Sequence, residues 1–121
     1  MCIRDRNNFY ETLVKTPNRD PFFTFIHKPN GSKGQQEFYR HDADAAQWQI
    51  MTMEWTPDRI TVTREGAGDK SFDSWTVNET SANLIPDNRH HLAIQLDAWK
   101  HSVSGQVKMQ VDYAEVYKYC G

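Results

Sequence analysis

Trp48 to Glu65 reads WQIMTMEWTPDRITVTRE, and its periodicity sets the fold class. From Trp48 to Trp55 the chain alternates in steps of two. Gln49, Met51, Met53 and Trp55 share one face, and Trp48, Ile50, Thr52 and Glu54 share the other. Thr56-Pro57-Asp58 then forces a reversal, because proline pre-sets φ for a turn and aspartate bonds back to the local backbone. Arg59 to Glu65 returns as a second arm with Ile60 and Val62 on one face, and Gly66 and Gly68 end it. The stretch is a β-hairpin.

Outward from the hairpin the same period recurs. Phe22 to His27, FFTFIH, follows an Asp20-Pro21 turn and is rich in strand-forming residues. Lys28 to Gln36, KPNGSKGQQ, is a loop, and Glu37 to His41 is a strand. Asp42 to Ala46 reads as a turn or a single helical turn. Asp69 to Arg89 reads as irregular, with a short strand around Trp75 to Val77 and Pro86 closing the loop. His91 to Ala98 alternates cleanly, with Leu92, Ile94 and Leu96 on its apolar face. Val107 to Tyr119 carries an apolar stripe of Val107, Met109, Val111, Tyr113 and Tyr117. Neither a helical period nor an internal repeat is visible, so the pattern predicts an antiparallel all-β sandwich or barrel.

With 121 residues the chain is at most one domain. Its formal net charge of −2 supplies no basic field for a phosphate backbone, which argues against nucleic acid as a partner. No apolar run reaches the length of about 20 residues that spans a bilayer, so no membrane partner is expected, and no signal peptide is visible. Met1 to Arg6, MCIRDR, reads as translated sequencing-adapter sequence rather than as part of a fold. Cys2 falls inside it, which leaves Cys120 as the informative cysteine; it is either free or paired with a residue outside this sequence. Asn30-Gly31-Ser32 and Asn78-Glu79-Thr80 match the N-glycosylation pattern. Four Trp, five Tyr and six Phe can fill a sandwich core or stack on sugar rings.

Three blocks carry a resemblance. WQIMTMEWTPDRITV is similar to the FHTYxxEWTPDxIxFYVDG hairpin of glycoside hydrolase family 16, with Glu65-Gly66 at its Asp-Gly. HHLAIQLDAW, from His90 to Trp99, resembles that family's MxLxLNLxVGG strand, and MQVDYAEVYKY resembles its closing MxVDYVRVYQ strand. The resemblance covers roughly Phe9 to Tyr119. It implies a concanavalin A-like, antiparallel jelly-roll β-sandwich, with residues 7–121 as the C-terminal portion of one glycosidase-like domain. It further implies an endo-acting, retaining hydrolase of β-linked polysaccharide that is secreted, periplasmic or at the cell surface. Leu92, Ile94, Leu96, Val111 and Tyr113 are then expected between the sheets.

The family's catalytic signature is Glu-x-Asp-x-x-Glu or Glu-x-Asp-x-Glu, on a strand upstream of a TxH strand. The longer form needs a bulge to keep the third side chain on the common face. In NNFYETLVKTPNRDPFFTFIH, Glu11 matches the acid/base, Asn8 stands at the central Asp, and the nucleophile position falls on Arg6. Retaining glycosidases need two carboxyl groups about 5 Å apart. Only Glu11 is at hand, so Glu11 is either that acid/base or a solvent-facing carboxylate, and the chain as written is expected to be inactive. By the same resemblance the substrate-binding residues are His27, Gln49, Met51, Gln95, Asp97 and Trp99. Met51 stands where Tyr is frequent and Asp97 where Trp or Ala is common, departures that put glucan specificity in doubt. Trp99 could offer a sugar platform or anchor a core.

No cofactor is required by this chemistry. Some family members hold a structural calcium, and Asp112 matches one of its ligands, although calcium takes six to eight oxygens. A solvated Asp112 is the other reading. His90-His91 would point to opposite faces of a strand, and His27, His41 and His101 lack spaced partners, which argues against zinc. A non-catalytic carbohydrate-binding jelly-roll module and an adhesive domain of a larger extracellular protein compete with the enzyme, and Asn8 favours either of them.

Overall fold

A computed structural model of the chain describes residues 7–12, 21–27, 36–78, 85, 89–96 and 104–120. The protein is all-β, with no helix among the described residues. Six strands follow one another: β1 (Asn7–Thr12), β2 (Phe22–His27), β3 (Gln36–His41), β4 (Gln49–Thr56), β5 (Arg59–Gly66) and β6 (Phe72–Asn78). They form two antiparallel three-stranded sheets, ordered β1-β2-β3 and β4-β5-β6. All six lie in the first of two compact units, Met1–Asn88; the second is Arg89–Gly121.

The central hairpin forms as the sequence dictates. Thr56 pairs with Arg59 and Trp55 with Ile60, leaving Pro57-Asp58 as a two-residue turn. The Thr56 hydroxyl donates to Asp58 Oδ1 at 2.7 Å, which ties the turn to the strand end. Pairing of Met53 with Val62 puts the apolar faces of both arms on the same side. Between β5 and β6 the chain turns through Ala67-Gly68-Asp69-Lys70, and Gly66 N donates to Ser71 O at 2.8 Å. A Cβ at Gly66 would meet the Asp69 carboxylate, which would have to shift. Lys70 takes up a left-handed backbone with φ 56°, an uncommon cost for a residue other than glycine.

The inner face of β4-β5-β6 packs on β1-β2-β3. Ile26 from β2 meets Ile60, Val62 and Val77, and Met51, Met53, Trp55, Trp75 and Ile85 close around them. Each fully buried side chain of this size stabilises the fold by about 1.5–3 kcal/mol before entropy is counted. Phe22 continues the inner face of the first sheet, tilted against Tyr10 at 4.7 Å and stacked on His41 at 4.9 Å. Tyr39 stacks on Trp75 across the sheets at 5.9 Å.

Three expectations need correction. Residues 72–78 are a seven-residue strand in full register with β5, where the sequence pattern suggests irregular chain around a short strand. The inward positions of β6 are Asp73, Trp75 and Val77. The charged residue breaks the apolar period, and its place is explained only by partners on other strands. Residues 91–96 form no strand, and Leu92, Ile94 and Leu96 are exposed. Residues 107–119 likewise form no strand, with Val111 and Tyr113 exposed. Alternation supplies an apolar face, but a strand also needs a neighbour to complete its ladder. No described strand pairs with either segment. Residues 97 and 98 of the expected strand lie outside the described residues.

Candidate functional site

The outer face of β1-β2-β3 is built by one irregularity. Asn8 pairs with Phe25 and Glu11 with Phe23, so two residues of β1, Phe9 and Tyr10, stand against Thr24 alone. Residues three apart on a regular strand point to opposite faces; one extra residue returns them to the same face. Asn8 and Glu11 therefore project together, and Asn8 Nδ2 donates to Glu11 Oε2 at 2.6 Å. Tyr10 is turned inward onto Phe22 and donates to Ala45 O at 3.2 Å. That contact fixes the bulge from the core side.

Aromatic rings flank the Asn8–Glu11 pair. The two-residue period of FFTFIH buries Phe22, Thr24 and Ile26 and leaves Phe23, Phe25 and His27 half-buried on the outer face. Phe38, paired with Phe25 across the sheet, is 59% exposed. Phe23, Phe25 and Phe38 form a triangle with ring centroids 5.9, 6.1 and 6.5 Å apart, and His27 stacks on Phe25 at 6.3 Å. This surface is apolar, its three phenyl rings inclined to one another by 28°, 37° and 58°, with a carboxylate and an amide at one margin and an imidazole at another. Such a surface can stack sugar rings and accept or donate hydrogen bonds to their hydroxyls.

A second constellation lies between the sheets. Thr24 Oγ1 is 2.8 Å from His41 Nε2, and His41 Nδ1 is 2.7 Å from Asp73 Oδ1. Arg64 Nε donates to Asp73 Oδ2 at 2.7 Å, while Arg64 Nη1 donates to Gln49 Oε1 and Ser71 Oγ, each at 3.0 Å. Hydroxyl, imidazole and carboxylate in this order resemble a nucleophilic triad. Thr24 and His41 are wholly buried, so no substrate carbonyl can reach the hydroxyl. The network instead satisfies buried polar groups and clamps the two sheets together.

The structure brings together only part of the residue set expected from sequence. Glu11 and His27 share the outer face of the first sheet. Gln49 and Met51 lie on the inner face of the second sheet. Gln49 is held by Arg64 and by Asp44 O at 3.1 Å, and Met51 packs against the core. These two do not line a common surface with Glu11. Gln95 is exposed in the second unit, and Asp97 and Trp99 lie outside the described residues. Arg6 and the glycosylation triplet at 30–32 also lie outside them, as do residues 79 and 80 of the second triplet.

Asp112 is exposed, and no group of three His, Cys, Asp or Glu side chains that could hold a metal forms among the described residues. Sequence reasoning missed Phe23, Phe25 and Phe38 as a surface, although the period of FFTFIH carried the signal. It also missed the clamp, whose members come from five strands and the turn before β6. No protein-family model matches the chain, and no curated protein or solved structure matches it.

Proposed function

We propose that the outer face of β1-β2-β3 holds β-linked polysaccharide, as part of a concanavalin A-like jelly-roll sandwich of the family 16 glycosidase type. The observation that carries this reading is the bulge at Phe9-Tyr10. The longer form of the family's signature requires an extra residue between its second and third side chains, and β1 has one at that position. The neighbouring Phe23, Phe25 and Phe38 supply the stacking surface that a glycan needs.

On this reading Glu11 occupies the acid/base position. Retaining hydrolysis needs a second carboxylate about 5 Å away as nucleophile. Asn8 offers an amide, and its bond to Glu11 occupies one carboxylate oxygen. The chain as written therefore binds glycan without cleaving it. That same bond favours a second reading, in which the domain is a binding module that never hydrolyses. Under both readings the ligand is an extracellular polysaccharide, which agrees with a secreted, periplasmic or cell-surface protein.

Reducing-end release from β-glucan, galactan and carrageenan tests the proposal. The chain as written should release none. Replacing MCIRDR with an upstream segment that carries Glu two residues before position 8, combined with Asn8→Asp, rebuilds Glu-x-Asp-x-x-Glu, and hydrolysis should appear and be lost again on Glu11→Gln, which removes the proton donor. Activity that survives Glu11→Gln would show that the catalytic strand is assigned wrongly. A rebuilt chain that binds glycan but leaves it intact would establish the binding module.

A further inference from the structure

The turn after β3 and the turn between β5 and β6 enclose an open cleft of about 450 Å³, lined by Asp42, Asp44, Gln47, Trp48, Asp69 and Ser71 among others. That volume falls within the range of small-molecule sites, about 300–1,000 Å³. The Trp48 side chain is 54% exposed. Its backbone is pinned, because Trp48 O accepts from Ala67 N at 3.0 Å. The indole is thus an exposed apolar group on an anchored backbone in the cleft lining.

Three carboxylates line the same cleft as Trp48, and each commits one oxygen to the protein. Asp42 Oδ1 takes Arg40 Nε at 2.7 Å, and Asp44 Oδ1 accepts from Ala46 N at 2.7 Å. Asp69 Oδ1 accepts from Ser71 N at 2.9 Å and from Ser71 Oγ at 2.8 Å. These bonds engage Oδ1 of each carboxylate and leave Oδ2 to act as an acceptor. The exposed Gln47 adds an amide that both donates and accepts. The negative charge is partly compensated, by Arg40 on Asp42 and by the Arg64 guanidinium near Asp69. A cationic ligand is therefore not demanded. No group of three ligating side chains for a metal forms here either.

An exposed indole in one cleft with several carboxylate acceptors suits a molecule with one C–H face and a rim of hydroxyl donors. We propose that this cleft is a saccharide subsite, with a pyranose ring stacked on Trp48 and its hydroxyls donating to Asp42, Asp44 and Asp69. The residues are separate from those of the outer face of β1-β2-β3, and the subsite stands whether or not that face binds glycan.

The test uses the full ¹⁵N-labelled chain in the Phe25→Ala background, so that outer-face binding is weakened. The probes are laminarihexaose, a galactan hexasaccharide and spermidine. One of the four indole N–H signals should shift on saccharide addition, and the same signal should be absent in Trp48→Ala. Affinity should fall about tenfold in Trp48→Ala, the worth of one stacked ring, and should be largely kept in Trp48→Tyr. Trp48 is exposed, so an unchanged melting curve for Trp48→Ala would exclude misfolding as the cause of that loss. Saccharide binding unaltered in Trp48→Ala, no indole shift with either saccharide, or binding of spermidine alone would each overturn the subsite. Loss of outer-face binding with the Trp48 shift intact would count only against the outer-face reading.

Discussion

Asp73→Ala removes the centre of the inter-sheet clamp. Asp73 accepts Arg64 Nε through one oxygen and faces His41 Nδ1 through the other, both at 2.7 Å. Arg64 is 4% exposed and His41 is wholly buried, so neither regains water readily when the carboxylate is lost. Arg64 would keep only Gln49 and Ser71, both neutral. Removing one partner of a buried ion pair costs about 3–5 kcal/mol, mostly as the penalty on the charge left behind. The Asp73 side chain is 19% exposed, which lets some solvent in and points to the lower end, about 3 kcal/mol. Urea unfolding followed by tryptophan fluorescence reads this directly, since Trp75 stacks on Tyr39 across the sheets. Sub-micromolar protein limits association through the exposed apolar residues. Asp73→Asn should fall between the wild type and Asp73→Ala. Adding Arg64→Met to Asp73→Ala should restore part of the loss, with a coupling of about 0.5–3 kcal/mol. If Asp73→Ala unfolds within about 0.5 kcal/mol of the wild type, as an ordinary surface substitution would, the clamp does not hold the sheets.

Gly66→Ala should destabilise by about 1 kcal/mol in the same assay, because the new methyl displaces the Asp69 carboxylate from its bonds to Ser71. Lys70→Gly should stabilise by about 1 kcal/mol, since the left-handed backbone there costs glycine nothing. The Thr56 hydroxyl holds the Asp58 carboxyl below its ordinary value. The stability this contributes is present above the ordinary aspartate range and is lost as pH falls through the folded-state value. Asp58→Asn should therefore flatten that part of the acid limb in pH-dependent melting curves, and an unchanged limb would count against the Thr56–Asp58 bond. Light scattering should show concentration-dependent association, reduced by Leu92→Lys and Ile94→Lys, which charge an exposed apolar segment.

The hairpin was legible because its local signals agree. Alternation, Pro57 and Asp58 all favour reversal at one place, and both arms have an apolar inner face. β6 was half hidden because Asp73 breaks the apolar period, and its reason for pointing inward lies on β3 and β5. Residues 91–96 carry a clean strand pattern, yet a pattern fixes only the face that wants burial and not the neighbour that provides it. Glu11 was picked out by motif spacing. The surface around it depends on the bulge at Phe9-Tyr10, which the family's longer motif implies but no local propensity in NNFYET demands. Gln49, matched to a binding position, also satisfies buried Arg64, a partner that its motif does not reveal.

The central claim is that glycan binds the outer face of β1-β2-β3. Its most direct measurement is a chemical-shift titration of the uniformly labelled chain with laminarihexaose and a galactan hexasaccharide. The ring signals of Phe23, Phe25 and Phe38 and the side-chain amide of Asn8 should move together, with one binding isotherm, and Phe25→Ala should weaken that isotherm about tenfold. Saturating saccharide that leaves all four residues unmoved would contradict the account.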